Sequence, residues 1–205
     1  MTIRAVFFDV GGVLVRVENH DKRHEWEARL GLPHGQATRV VFDSEAAERA
    51  ILGEIPEEEL WQDVGRRLGL SANQLASFRL DFWKSEMLDP ELIRLVRTLR
   101  PRYKVGIISN AWSDARTVLN RKFSLDSLVD DVIYSAEVKL AKPDARIFQL
   151  ALKRLDVQAE EAVFVDDVLE NVQGAQALGM KGVQFKITEQ TVNDIKEYLD
   201  EHSTA

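Results

Sequence analysis

Short, unbroken apolar runs recur along the chain, and each stops at small polar or acidic residues. Ile3 to Phe8 mixes β-branched and aromatic residues and gives way to Asp9 and the Gly11-Gly12 pair. Val105-Gly106-Ile107-Ile108 stops at Ser109-Asn110, and Ala162-Val163-Phe164-Val165 stops at Asp166-Asp167. A run without polar alternation, bounded this way, predicts a strand buried on both faces, as in a parallel sheet. Val132-Ile133-Tyr134 and Gly182-Val183-Gln184-Phe185 are weaker candidates for the same role.

Helical spacing fills the intervals. Leu92, Leu95, Val96 and Leu99 repeat at i, i+3, i+4 and i+7, and the helix they predict stops before Pro101. Pro143 opens another as a first-turn proline, with Ile147, Leu150, Ala151 and Leu155 on one face. Val168, Val172 and Ala175 line a third, closed by Gly179, and Val192, Ile195, Tyr198 and Leu199 line the last. From residue 89 onward helix and strand alternate, which predicts a doubly wound α/β sheet.

Residues 16–88 break that alternation. They read as several helices with no good strand, carrying Trp26, Leu30, Val41, Leu60, Trp61, Leu68 and Phe82 among other apolar positions. Pro56 followed by Glu57-Glu58-Glu59 marks a helix start, with acids at the positive end of the helix dipole. The stretch is expected to be an all-helical insert after the first strand and its turn. Glu201 to Ala205 reads as a frayed tail.

Composition narrows the class without naming the chemistry. A chain of 205 residues fits one domain, or one domain with a modest insert. Thirty-four acidic and 27 basic side chains leave a formal charge of −7, and the sequence pI of 5.2 argues against a nucleic-acid-binding surface. The absence of cysteine excludes a disulfide scaffold, a thiolate zinc site and a cysteine nucleophile. No apolar run approaches the roughly 20 residues that span a bilayer, and Ile3–Phe8 is too short for a signal peptide. The expectation is a soluble cytoplasmic protein, monomeric or at most homodimeric, with no membrane or nucleic-acid partner.

In a doubly wound sheet, ligands bind beyond the carboxyl ends of the strands. If the three clear strands are neighbours, Asp9, Ser109, Asn110, Asp166 and Asp167 converge, and Lys142 can join them from the loop before Pro143. Each alone has an ordinary reading as a turn, cap or solvated residue. Together they place three carboxylates in one small volume, which calls for a cation. Mg²⁺ suits oxygen ligands of this kind and takes one or two carboxylates plus a substrate phosphate.

In this order the motifs resemble the haloacid dehalogenase-like (HAD) superfamily of hydrolases. They are Phe7-Phe8-Asp9-Val10-Gly11-Gly12-Val13-Leu14, Ile107-Ile108-Ser109-Asn110, Ala141-Lys142-Pro143-Asp144, and Val163-Phe164-Val165-Asp166-Asp167 with Glu170-Asn171. The resemblance implies a Rossmann-like catalytic core over 1–15 and 89–205 and a small helical cap over 16–88. It implies Asp9 as nucleophile, Ser109 and the Asn110 backbone on phosphate oxygens, and Lys142 neutralising the phosphate and Asp9. Mg²⁺ would be held by Asp9, the Gly11 carbonyl and Asp167, with Asp166 and Asn171 in support. Arg16, Glu18, His20 and Trp112 become candidate substrate contacts. The implied substrate is a small phosphorylated metabolite, with sugar phosphates among the candidates.

One position departs from the pattern. Most phosphatases of this superfamily carry a second aspartate two residues after the nucleophile, as general acid and base, and here Gly11 stands there. Either the substrates have good leaving groups and need no such acid, or a replacement comes from the insert, where Glu18, His20, His24 and Glu45 are candidates. A metal-independent 2-haloacid dehalogenase and a weakly active, binding or regulatory protein are the alternatives. Against the first, those enzymes resemble Asp-x-Tyr-Gly-Thr, and no tyrosine follows Asp9.

Overall fold

The computed structural model describes residues 2–200, so the Glu201–Ala205 tail lies outside the described residues. In chain order, β1 (Ala5–Phe8) leads into β2 (Val15–Val17) and five helices: α1 (Asp21–Leu30), α2 (Gln36–Phe42), α3 (Glu45–Ile51), α4 (Glu57–Leu68) and α5 (Ala72–Phe82). The chain returns through β3 (Glu86–Leu88) to α6 (Pro90–Leu99), β4 (Lys104–Ser109), α7 (Ala115–Phe123), α8 (Leu125–Leu128), β5 (Asp131–Tyr134) and α9 (Ser135–Val138). It closes with α10 (Ala145–Leu155), β6 (Ala162–Asp166), α11 (Leu169–Ala177), β7 (Lys181–Gln184) and α12 (Thr188–Asp200).

The five expected strands form one parallel sheet in the order β5-β4-β1-β6-β7. β1, β4 and β6 are adjacent, and Phe8 pairs with both Ile107 and Val165, so the three polar strand ends sit side by side. One face of the sheet buries Phe8, Ile107 and Val165 against α6 and α12 residues such as Leu92, Val96 and Ile195. The other buries Phe7, Ile108 and Phe164 against Ile147, Phe148 and Ala151 of α10. Apolar side chains on both faces explain why these runs lack polar alternation.

The insert has its own core around Trp26, Trp61, Phe78 and Phe82. It is not purely helical at its base: β2 and β3 pair antiparallel, Val15 with Leu88 and Val17 with Glu86. Strands of three residues are too short to show a period in sequence. Pro143 also differs from expectation, because α10 begins at Ala145 with Asp144 as its N-cap, accepting a hydrogen bond from the Arg146 N–H at 2.9 Å. Pro143 lies before that cap, joined to Lys142 by a cis peptide bond. Val168 likewise precedes α11 and is exposed, while Val172 and Ala175 are buried as expected. Among the described residues no helix is long and apolar enough to cross a membrane.

Candidate active site

Asp9 leaves the end of β1 with its backbone N–H donating to the Val165 carbonyl at 2.9 Å, so the sheet ladder fixes its position. Lys142 is buried beside it, with Nζ 2.9 Å from Asp9 Oδ1 and 2.6 Å from Asp166 Oδ2. Asp166 is fully buried and also accepts from the Val168 N–H at 2.8 Å and from Asn171 Nδ2 at 3.1 Å. Asn171 thus orients Asp166, and Asp166 in turn holds Lys142 against Asp9.

Ser109 and Asn110 end β4 next to Asp9. The Asn110 side chain is committed to the main chain of Lys142: Nδ2 donates to the Lys142 carbonyl at 2.9 Å and Oδ1 accepts from its N–H at 2.8 Å. A reciprocal pair of this kind locks the lysine loop to the strand end. Both polar atoms of the Asn110 side chain are therefore committed within the protein.

Asp167 turns to the open side of the cluster. Carboxylate oxygens of Asp9, Asp166 and Asp167 lie within 4.8 Å of one another. The approach depends on Gly12, whose φ of +81° is in the left-handed region and whose missing Cβ would lie 2.4 Å from Asp167 Oδ2. Burial is the largest influence on Asp9 and pushes its carboxyl up to about 6, with Lys142 pulling down and Asp166 pushing up. Asp167 is raised as well, by burial and by the nearby Asp166. Three carboxylates face one ammonium, and Asp9 Oδ1, though in ion-pair contact with Lys142, is buried outside hydrogen-bonding alignment. An oxygen-seeking cation fits this donor set.

A cavity of about 400 Å³ opens from these strand ends toward the insert. Gly11, Ser109, Asn110 and Trp112 line it. Arg16, Glu18 and His20 are not among its lining residues. Arg16 pairs with Asp89 at 2.7 Å and lies over the Phe185 ring, because β2 points it back toward the core. Glu18 is exposed beside the ribbon. His20 faces His24, ring centroids 5.9 Å apart, and His24 faces His34 at 4.3 Å, so both candidates belong to a surface histidine patch. Burial and repulsion from Arg23, His24 and His34 lower the His20 pKa. Glu45 borders a separate cleft with Arg49 and Arg66.

In their place the cavity presents Glu57, Arg79 and Glu86, with Phe42, Leu80 and Trp83. Sequence carried little sign of these, since they come from four segments and no local motif joins them. The space beyond Gly11 is open, with no other atom within 4 Å of where a Cβ would sit. No side chain of the insert takes the position of the absent aspartate's Cβ.

The model of the haloacid dehalogenase-like hydrolase family matches residues 3–179. The chain belongs to that family. Sesquiterpene phosphatase astK of Aspergillus oryzae is 27% identical, over 97% of this chain and 97% of its own length. (S)-2-haloacid dehalogenase 1 of Pseudomonas sp. is 25% identical, over 96% of this chain and 88% of its own. A HAD family enzyme of Bacteroides thetaiotaomicron, solved with magnesium and inorganic phosphate, superposes with a TM-score of 0.72. At 21% identity, over 90% of this chain and 94% of that one, it shares the fold. This HAD-like hydrolase therefore has relatives with both phosphatase and dehalogenase names, and its own site must separate them.

Proposed function

We propose that this hydrolase is a Mg²⁺-dependent phosphohydrolase that cleaves phosphate monoesters through an aspartyl-phosphate on Asp9. The observation that carries the reading is Asp167, a third carboxylate within 4.8 Å of Asp9 and Asp166 where, among the described residues, Lys142 is the one buried cation in contact. A metal-free displacement at carbon has no use for that extra negative charge, whereas a cation-bound phosphate compensates it. The magnesium complex of the Bacteroides relative and the phosphatase name of the Aspergillus relative support the same reading.

Asp9, Asp167 and the Gly11 carbonyl would hold Mg²⁺, which supplies positive charge for the phosphate oxygens. An Asp9 oxygen attacks phosphorus as the ester P–O bond breaks, and the alcohol departs. Lys142 neutralises both the incoming phosphate and Asp9, and Ser109 with the Asn110 N–H orients the phosphate oxygens. Water then attacks the aspartyl-phosphate and frees inorganic phosphate. With Gly11 in place of an acid, the leaving oxygen takes its proton from water.

The test is phosphate release from aryl phosphates with Mg²⁺ present or chelated, alongside chloride release from 2-chloropropionate. The proposal expects metal-dependent phosphate release that Asp9→Asn abolishes. Chloride release unaffected by EDTA would favour the dehalogenase reading instead.

A further inference from the structure

The cavity above the strand ends is apolar over most of its wall. Phe42, Ile51, Leu80, Trp83, Trp112 and Val118 form that wall. Phe42, Leu80 and Val118 also belong to the few large apolar side chains that stay exposed among the described residues, Leu80 at 77%. Phe42 stacks on Trp112 with centroids 5.6 Å apart, and Trp83 meets Trp112 edge-on at 5.8 Å. An aromatic wall with an apolar rim, reaching Gly11, Ser109 and Asn110 beside Asp9, is the form of a small-molecule site.

Apart from Ser109, each polar side chain on that wall already has a partner. Arg79 donates from Nη2 to Glu57 Oε1 at 2.6 Å and from Nη1 to Glu58 Oε2 at 3.3 Å. Glu57 Oε1 also accepts from Trp61 Nε1 at 2.9 Å. Glu86 accepts from Lys122 at 3.3 Å, and the Asn110 amide holds Lys142. A substrate rich in hydroxyls would find few open partners here, and unpaired buried hydroxyls weaken binding.

Resting on the phosphohydrolase reading, we propose that the substrate is the phosphate monoester of an apolar aryl or hydrocarbon alcohol. Its phosphate sits at Asp9 and its apolar group fills the cavity, which favours it over a sugar phosphate. Asp9 forms the bond to phosphorus, the bond from phosphorus to the alcohol oxygen breaks, and that oxygen is protonated by water. A second water then releases phosphate from Asp9.

The experiment uses phenyl phosphate and its 4-methyl, 4-propyl and 4-butyl derivatives, whose leaving groups differ little in basicity. kcat/KM should rise about fourfold per buried methylene until the cavity is full. Leu80→Asp, at an exposed rim position, should flatten that rise, with circular dichroism checking the fold. A measurement without turnover accompanies it: 4-butylphenol should saturably change the tryptophan fluorescence, and glucose should not. A flat substrate series with no response to butylphenol overturns the proposal, and metal-dependent phosphate release from all the esters alike would leave the phosphohydrolase reading standing. A response to butylphenol with no phosphate release from any ester overturns it through the phosphohydrolase reading itself.

Discussion

Lys142 Nζ stands 2.9 Å from Asp9 Oδ1, inside the protein and not at its surface. Buried between Asp9 and Asp166, it serves the fold as well as the chemistry. Lys142→Ala leaves two carboxylates in low dielectric without their cation, a loss of about 3–5 kcal/mol for a buried pair. Chemical denaturation should show that destabilisation, and turnover should be lost with it. A variant as stable as wild type would mean that the three groups are not packed as described.

Gly12→Ala should weaken the metal site selectively. The new Cβ meets Asp167, and a non-glycine residue at φ +81° costs about 1–2 kcal/mol. The Mg²⁺ concentration for half-maximal activity should rise at least about tenfold, the equivalent of roughly 1.4 kcal/mol. Titrating activity against Mg²⁺ checks this, and an unchanged midpoint would remove Asp167 from the metal set.

Asn110→Ala removes both hydrogen bonds to the Lys142 main chain. At about 1 kcal/mol each, this should lower stability by roughly 2 kcal/mol. It should also reduce kcat, because Lys142 loses its placement. KM for Mg²⁺ should stay nearly constant, since the amide makes no contact with the carboxylates. A large shift in Mg²⁺ affinity would instead show that the Asn110 side chain faces the ligand.

The strand ends were legible because each apolar run is local and terminates in the candidate site residues. Neighbouring β1, β4 and β6 then bring Asp9, Ser109 and Asp166 together without further information. What was not legible depends on contacts between distant segments. Val15-Arg16-Val17 and Glu86-Met87-Leu88 become strands only by pairing with each other. That pairing turns Arg16 to Asp89 and away from the cavity that its place in sequence suggested. Trp112 is a candidate contact in the sequence, but Phe42, Leu80 and Trp83 share a wall with it only because the insert's core packs on Trp112.

Gly11→Asp probes the one departure from the family pattern. Nothing beyond its chain neighbours lies within 4 Å of a Cβ at residue 11, so a side chain can begin there without a clash. In the wild type, with no acid at this position, rates should depend steeply on leaving-group basicity. The variant should gain about 10²-fold or more on alkyl phosphates, the lower end of what a general acid contributes. A series of esters of graded leaving-group pKa measures both slopes, and equal slopes would place the proton donor elsewhere.

The proposed function rests most directly on covalent chemistry at Asp9. Without a carboxylate at Gly11 to activate water, the aspartyl-phosphate should persist long enough to trap. Protein mixed with an aryl phosphate and Mg²⁺, quenched in acid and digested, should show one added phosphoryl group on the peptide containing Asp9, absent with EDTA and absent in Asp9→Asn. Sustained phosphate release with no phosphoryl group on that peptide, or release unchanged in Asp9→Asn, would contradict it.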